Sequence, residues 1–314
     1  MSDPGVSGRR TGPGRAGHPT IGAMTSDIHG FHHTGILTRD LDALERTYTG
    51  FGFTLSPRSR HLLNERPGEP PVPGCTANRC ALFGNAYIEL LGIVDESAPD
   101  PWRTKAIADE YEGFRLLNFD TADAEATDGR LTGLGLRTSG VLDLERDVDT
   151  ADGTRTLRAR AVHLDPRSTP EAYVGIAQHL DREYVHQARY LAHANGARAL
   201  EAVLIVVDDS AHEPITARYA DVLACTPRRQ GPLTVLDLAD GRLEILRASD
   251  AGEVLPGEPV PAPSYLAAMT IRVDDADAAR ALIEDGGTGT RPAGDGFAVS
   301  ARDAHGAALI FTAS

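Results

Sequence analysis

Cysteine is scarce in this sequence, and the few cysteines are not arranged for cross-linking. The 314 residues include only three cysteines, Cys75, Cys80 and Cys225. They form neither a CxxC pair nor an even-numbered set, which argues against a disulfide framework. They also lack any local signature of a catalytic thiol. We therefore expect reduced thiols in a cytoplasmic protein.

Basic residues and long hydrophobic runs are also in short supply. Lys and Arg total 31 against 45 Asp and Glu, a net charge of -14. This balance argues against a nucleic-acid partner and against an anionic membrane surface. Hydrophobic runs fall short of the roughly 18 residues that a membrane span needs. The remaining partner class is a small-molecule substrate, and a homodimer is left open.

Several catalytic and nucleotide-binding motifs are missing from the sequence as well. It contains no P-loop, no HExxH and no GxSxG, and its GLG at 133–135 ends a predicted helix instead of starting one. The N-terminal arginines are not followed by a hydrophobic stretch, so no secretory or twin-arginine signal is complete. Residues 1–27 are rich in Gly, Pro, Ser and Arg without periodicity and predict a disordered leader.

A recurring unit is present after this leader. Residues 30–39 predict a strand, 40–52 an amphipathic helix closed by glycine, and 53–60, 78–84 and 86–93 three more strands. This order of strand, helix and three strands recurs three more times. Each predicted first strand is followed by an aspartate before the helix, at Asp40, Asp123, Asp209 and Asp275.

One such unit exposes a hydrophobic sheet face, so the units are expected to pair. The sequence predicts an α+β fold in which four βαβββ modules pair into two half-open curved β-barrels. We place the first barrel at 28–185, a connector at 186–198 and the second barrel at 199–314. The concave face of each barrel would form a cleft.

Three segments carry a family resemblance. HHTGILTRDLDALERTYTGFGF, GCTANRCALFGNAYIELLGI, and QHLDREYV with HANGARAL resemble glyoxalase-like modules and the connector of glyoxalase-like-domain proteins. The chain is thus similar to the vicinal oxygen chelate superfamily, which includes glyoxalases, bleomycin-resistance proteins and extradiol dioxygenases. That superfamily hosts isomerases, lyases, dioxygenases, thiol transferases and metal-free binding proteins, so the resemblance implies a fold more than a reaction.

The resemblance also implies metal ligands on the first and last strands of each module. In module one these positions hold His33 and Glu89, whereas in module two they hold Leu116 and Gly175. His179 shares a strand face with Gly175 and is the best substitute, although it lies about 13 Å further along the strand. His33, Glu89 and His179 would then form a two-His, one-carboxylate set for Fe, Mn, Ni or Zn.

Alternatives for these residues remain open from the sequence alone. His33 could be a buried, hydrogen-bonded histidine, and an arginine could neutralise Glu89 in place of a metal. On a regular strand His32 would face away from the cleft. In the second barrel only Glu244 matches a ligand position, so we expect that barrel to be a scaffold or a lid.

A long Pro- and Gly-rich segment in module one holds a further candidate. It is predicted to be a loop that brings His61, Asn64 or Arg66 to the substrate, although a plain solvent-exposed loop is an equal alternative. We take His61 and His179 as candidate catalytic residues. In the connector, His193 and Asn195 either cap a helix or line the cleft.

Two functions are consistent with these residues. The first is a small-molecule enzyme, of isomerase, lyase or dioxygenase type, that uses a divalent metal in the first barrel as a Lewis acid. The second is a metal-free protein that binds or sequesters a small molecule, which the missing ligands of module two favour. The substrate is not predicted.

Overall fold

The computed structural model describes Met1, residues 27–63 and residues 69–313. The predicted disordered leader, apart from Met1 and Asp27, lies outside the described residues, as do Asn64 and Arg66. Among the residues that are described, no helix is both long and hydrophobic enough to cross a membrane.

The first half of the chain forms an eight-stranded closed barrel. Its strands are β1 (Ile28–Thr38), β2 (Ser59–Leu63), β3 (Val72–Leu82), β4 (Tyr87–Ile93), β5 (Gly113–Thr121), β6 (Thr138–Thr150), β7 (Gly153–Leu164) and β8 (Tyr173–His179). Its helices are α1 (Leu41–Gly50), α2 (Thr104–Glu110) and α3 (Ala124–Gly133). Around the barrel the strand order is β1-β4-β3-β2-β6-β7-β8-β5.

The second half forms an eight-stranded sheet of the same modular design. Its strands are β9 (Ala197–Val207), β10 (Arg228–Gln230), β11 (Leu233–Asp237), β12 (Arg242–Arg247), β13 (Tyr265–Val273), β14 (Thr290–Ala293), β15 (Gly296–Val299) and β16 (Ala308–Ala313). Its helices are α5 (His212–Leu223), α6 (Ala251–Val254) and α7 (Ala276–Asp285), and α4 (Arg182–Val185) precedes β9. The order is β10-β11-β12-β9-β13-β16-β15-β14.

Four βαβββ modules, paired two by two, confirm the predicted fold class. Within each pair the first strands run antiparallel side by side, β1 with β5 and β9 with β13. Each first strand also pairs in parallel with the last strand of its own module, as β1 does with β4. This arrangement brings the first and last strands of a module together, which is where the candidate site residues lie.

Aspartate side chains start most of the helices that follow the first strands. The carboxylates of Asp40, Asp123 and Asp275 accept hydrogen bonds from the backbone N–H three residues later, at 2.9 to 3.0 Å. Such caps satisfy backbone donors that the first helical turn leaves free. In module three, Asp208 caps a short 3₁₀ turn (Asp209–Ala211) that precedes α5, and α5 itself has no side-chain cap. Asp209 accepts from the Ser249 N–H at 3.0 Å.

The two sheets differ in how far they close. In the first, β2 pairs with β6 through Leu62 with Glu145 and Leu63 with Leu144, which completes the barrel beyond the predicted half-open form. The hairpin of β6 and β7 makes this contact, since its strands are 13 and 12 residues long. In the second sheet the end strands have 3 and 4 residues, and over the described residues they do not meet.

Candidate functional site

The interior of the closed barrel contains a cavity that opens to solvent. It has about 800 Å³ of empty space, its mouth included. One part of the wall is polar and includes His33, Asn78 and Glu89. The remainder is largely hydrophobic and aromatic, with contributions from Leu91, Trp102, Leu116, Leu144, Leu157, Ala161 and Tyr173. A concave site with a few convergent polar groups is the usual form of a small-molecule site.

Glu89 is the buried acid of this cavity, with 5% of its surface exposed. Strand β4 directs it inward while its neighbours Ile88 and Leu90 pack in the core on the other face. Its Oε1 accepts a hydrogen bond from Asn78 Nδ2 at 2.5 Å and lies 3.5 Å from His61 Nε2. Its Oε2 lies 3.5 Å from His33 Nε2. The structure therefore surrounds the carboxylate with three nitrogen atoms.

The second ring nitrogen of each of these histidines also has a partner. His61 Nδ1 lies 2.9 Å from the hydroxyl oxygen of Thr76, and His33 Nδ1 lies 2.7 Å from His32 Nδ1. The first contact fixes the ring of His61, which lies on strand β2 and not in the predicted loop. For His61 and its neighbours up to Leu63 the loop prediction was wrong, because β2 extends to Leu63 by pairing with both β3 and β6.

The electrostatics of the cavity keep Glu89 ionised. Burial by itself would raise the pKa of Glu89, but the hydrogen bond from His61 and the charge of His33 outweigh it and lower the pKa to about 2. Burial lowers the pKa of His33 to about 4, against the opposing effect of Glu89. At neutral pH the site therefore holds a carboxylate beside a neutral imidazole.

His32 and His179 form a second imidazole pair in the same cavity. Their ring centroids are 4.1 Å apart, and the His179 ring also stacks on Tyr87 at 6.0 Å. His32 was expected to face away from the cleft, but the pairing of β1 with β5 shifts register between Phe31 and His33. This irregularity lets both His32 and His33 line the cavity. The ring contacts of His179 are with His32, Tyr87 and His186, so it is not packed on Glu89.

The module-two positions leave little room for further ligands. Leu116 lines the cavity opposite Gly35 of β1. A Cβ atom placed on Gly175 would lie 2.3 Å from Asn118 Oδ1. Any side chain at this position would therefore displace Asn118, which also lines the cavity.

A divalent metal fits this residue set only in part. Two atoms bound to one ion at about 2.1 Å each would lie roughly 3.4 Å apart, close to the observed His33 to Glu89 distance. However, His33 and His61 meet different oxygens of Glu89, and one of these also accepts from Asn78. Across residues 27–63 and 69–313, no group of three or more His, Cys, Asp or Glu is placed to hold one ion. The ligand set is therefore incomplete.

The remaining candidates have structural partners. Glu244 of the second sheet, 7% exposed, accepts from Arg242 Nε at 2.7 Å. His193 and Asn195 tie the connector to the first barrel. Thr54 N–H donates to His193 Nδ1 at 3.0 Å, and Asn195 Nδ2 donates to the carbonyl oxygen of Phe51 at 2.9 Å.

One cavity residue carried no sequence signal. Arg146 lies on β6, in a long polar hairpin whose charged residues follow no clear pattern. Its Nη1 donates to Asn78 Oδ1 at 3.0 Å, so Asn78 links Arg146 to Glu89. The sequence left open that an arginine contacts Glu89 directly. In the structure the Asn78 amide lies between Arg146 and Glu89 and bonds to both.

The modular barrel and the inward pair His33 and Glu89 define a protein of the vicinal oxygen chelate class. The family model of the glyoxalase-like domain matches residues 31–223, more than half of the chain. The chain therefore belongs to the glyoxalase-like domain family of that superfamily. A search of curated proteins found no match.

Solved structures share the fold at low sequence identity. A hypothetical protein from Staphylococcus aureus aligns with a TM-score of 0.62 and 15% identity, over 90% of this chain and 99% of that one. A xylose isomerase-like TIM barrel/4-hydroxyphenylpyruvate dioxygenase fusion protein gives 0.52 and 11%, over 85% and 40%. A mutant of 4-hydroxymandelate synthase from Streptomyces coelicolor gives 0.51 and 10%, over 84% and 77%. These similarities support the fold and not a reaction.

Proposed function

We propose that this chain is a small-molecule enzyme that transfers protons in the first-barrel cavity, as an isomerase or a lyase does. The observation that carries the proposal is the buried carboxylate of Glu89, held 3.5 Å from the Nε2 atoms of both His33 and His61 at a cavity wall. A carboxylate with a purely structural role does not need to line a cavity. Acids in clefts whose pKa is shifted are typical of functional sites.

The proposed division of roles follows from the charges. Glu89 remains a carboxylate and stabilises positive charge on the imidazole that accepts a substrate proton. Thr76 orients the His61 ring by its contact with Nδ1 at 2.9 Å, so Nε2 is the proposed proton-carrying atom; it lies 3.5 Å from Glu89 Oε1, further than a short hydrogen bond. His33 is the second imidazole of the group. His179 is assigned to the cavity wall, since its ring packs on His32 and Tyr87.

The test measures proton transfer directly. Small carbonyl and hydroxy compounds are incubated with the protein in D₂O, and deuterium incorporation at carbon is followed by NMR. We expect incorporation with the unmodified chain and a loss of about 10²- to 10⁴-fold in Glu89→Gln. Glu244→Gln is the matched control, because Glu244 is a buried strand carboxylate of the second sheet. The absence of exchange, or equal exchange in Glu89→Gln, contradicts the proposal.

Elemental analysis of the same samples tests the proposed dependence on Fe, Mn, Ni or Zn. Near-stoichiometric metal that is lost in both Glu89→Gln and His33→Gln, but kept in Glu244→Gln, would assign an ion to His33 and Glu89. That result would replace the role of Glu89 given above by that of a ligand.

The second candidate is a metal-free binding or sequestration protein. The observation in its favour is the hydrophobic wall, together with Leu116 and Gly175 at the family ligand positions. It predicts saturable binding of a small molecule without exchange or turnover in the D₂O experiment.

A further inference from the structure

Arg146 holds a distinctive place between two cavities of the first barrel. It lines the cavity that contains Glu89, and it also lines a neighbouring pocket with Cys80, Tyr184 and Tyr190. On β6 it shares the inward face with Leu144 and Val148. A guanidinium group at this junction can contact a molecule that enters either cavity.

Arg146 has no carboxylate partner among the residues that the structure describes: no carboxylate oxygen there lies within 4 Å of its guanidinium nitrogens. Its hydrogen-bond partners are two neutral side chains, the Asn78 amide and the Cys80 thiol. Because Asn78 Nδ2 is committed to Glu89, the Asn78 amide is held with its oxygen toward Arg146. A guanidinium group has five N–H donors, so the donors of Arg146 that Asn78 and Cys80 do not use are available to an anion.

Two other charged groups of the cavity, Arg160 and Glu89, already have partners. Arg160 pairs with Glu125 at 2.8 Å and lies 3.5 Å from Asp143. Glu145 also lines the cavity, and it stands opposite Arg158 in the β6–β7 ladder. Glu89 has its three nitrogen neighbours. Among the described residues that line this cavity, Arg146 is therefore the arginine without a carboxylate partner.

The geometry points to a small organic acid as the substrate class: we propose that Arg146 binds the carboxylate of the substrate while its hydrophobic body packs against the cavity wall. This inference rests on the proposed function of the same cavity. Arginine binds carboxylates through two parallel N–H···O bonds, which also fix the orientation of the ligand. Asn78, bonded to both Arg146 and Glu89, spaces the anchored acid from the proton-transferring group.

The single tryptophan of the chain makes this inference testable without a known substrate. Trp102 lines the cavity and is the only tryptophan in the sequence. Its fluorescence therefore comes from one position, at the wall of this cavity. The probes are 3-phenylpropanoate and its neutral, nearly isosteric amide, 3-phenylpropanamide, titrated to millimolar concentration into the full chain.

We expect the acid to bind about ten- to a hundredfold more tightly than the amide, as a charge-assisted hydrogen-bonded pair provides. Arg146→Gln should abolish this preference, and Arg146→Lys should keep part of it, which shows that the variants are folded and that charge matters. Arg160→Gln, the matched control at the same wall, should keep the full preference.

Other outcomes would contradict either the carboxylate preference of the cavity or the role of Arg146. Equal binding of acid and amide to the unmodified chain overturns the carboxylate assignment but leaves the cavity as a small-molecule site. A preference that survives in Arg146→Gln overturns the role of Arg146. If neither probe changes the fluorescence of Trp102, the inference is overturned, whereas the D₂O exchange experiment with Glu89→Gln decides separately on the proposed function.

Discussion

His163 is a buried histidine outside the proposed proton-transfer group, and we expect it to make the stability of the folded chain depend on pH. His163, 7% exposed, lies with its Nδ1 2.7 Å from the hydroxyl of Tyr173 and its ring 4.5 Å from that of Trp102. Burial, and to a smaller extent the charge of His33, lowers its pKa from 6.5 to about 3. His163 is therefore neutral in the folded chain at neutral pH.

This histidine should make the protein sensitive to acid. In the unfolded chain His163 binds a proton below pH 6.5, whereas the folded chain resists protonation until about pH 3. The free energy of unfolding then falls as the pH is lowered through this window, by up to about 1.4 kcal/mol per pH unit from this residue. His163→Gln should show a shallower decline in chemical unfolding measured between these pH values.

The control for that measurement is His29→Gln, because His29 is exposed on β1. It should leave the slope of stability against pH unchanged. An unchanged slope in His163→Gln would show that His163 does not contribute to acid unfolding.

Sequence pattern located some site residues and missed others for physical reasons. Glu89 and His33 could be found because a polar residue at a fixed strand position stands out against hydrophobic neighbours. His32 was misplaced because a register shift in β1 breaks the alternation on which the prediction relied. Arg146 was missed because β6 is partly exposed along most of its length, so one more arginine carried no signal.

At the scale of elements, the contact of α1 with β4 depends on a glycine. A Cβ atom on Gly92 would lie 2.6 Å from the Cβ of Leu41, closer than real atoms approach. We expect Gly92→Ala to push α1 off the sheet and lower the free energy of unfolding by about 1–3 kcal/mol. Thermal or denaturant unfolding measures this directly.

Gly129→Ala in helix α3 provides the comparison for this substitution. Apart from its chain neighbours and the backbone of its own helix, no described atom lies within 4 Å of the position that the added methyl group would take. Because alanine also favours a helix, stability should rise by up to about 1 kcal/mol. If Gly92→Ala and Gly129→Ala were equally stable, tight packing between α1 and β4 would not be the reason that position 92 requires glycine.

The elements themselves were predictable where a local signal existed. Aspartate caps at Asp40, Asp123 and Asp275 mark three helix starts, and the structure has them. The second strand of module one was predicted at 53–60, but β2 runs from Ser59 to Leu63, into a segment rich in Pro and Gly that was predicted to be a loop. Its pairing with β3 and β6, which only the tertiary structure provides, makes it a strand.

At the scale of the whole molecule, a buried ion pair joins the two halves of the chain. Glu171, fully buried just before β8, accepts hydrogen bonds from Arg218 of helix α5 and from the hydroxyl of Tyr219 at 2.7 Å. Arg218→Met would leave the carboxylate without its counter-charge and should cost about 3–5 kcal/mol of unfolding free energy. The double variant with Glu171→Met should recover much of this loss.

An exposed pair serves as the reference for this comparison. Arg280 and Glu284 are 2.9 Å apart with 40% and 43% of their side chains exposed. Arg280→Met should change stability by less than about 1 kcal/mol. A similar effect in Arg218→Met would mean that the Glu171 pair does not hold the halves together.

The repeat pattern predicted two eight-stranded sheets but not their different closure. That difference depends on the lengths of β6 and β7. The length of a polar strand is hard to predict from sequence, because turn residues mark its ends only weakly. The closed barrel encloses the candidate site. In the second sheet the Pro-rich residues 252–264 contribute Leu255 to a hydrophobic cluster that also contains Leu204 and Tyr265.

Because the first sheet is closed and the second is open, they differ in whether a strand from another chain could pair with their edges. A closed barrel presents no strand edge, whereas the open sheet has unpaired backbone groups along β10 and β14. Both edges are short. Strand β10 carries the exposed Arg228 and Arg229, and Pro292 in β14 lacks an N–H to donate. We therefore expect copies of this chain to resist edge-to-edge aggregation, so that any self-association uses side-chain surfaces instead.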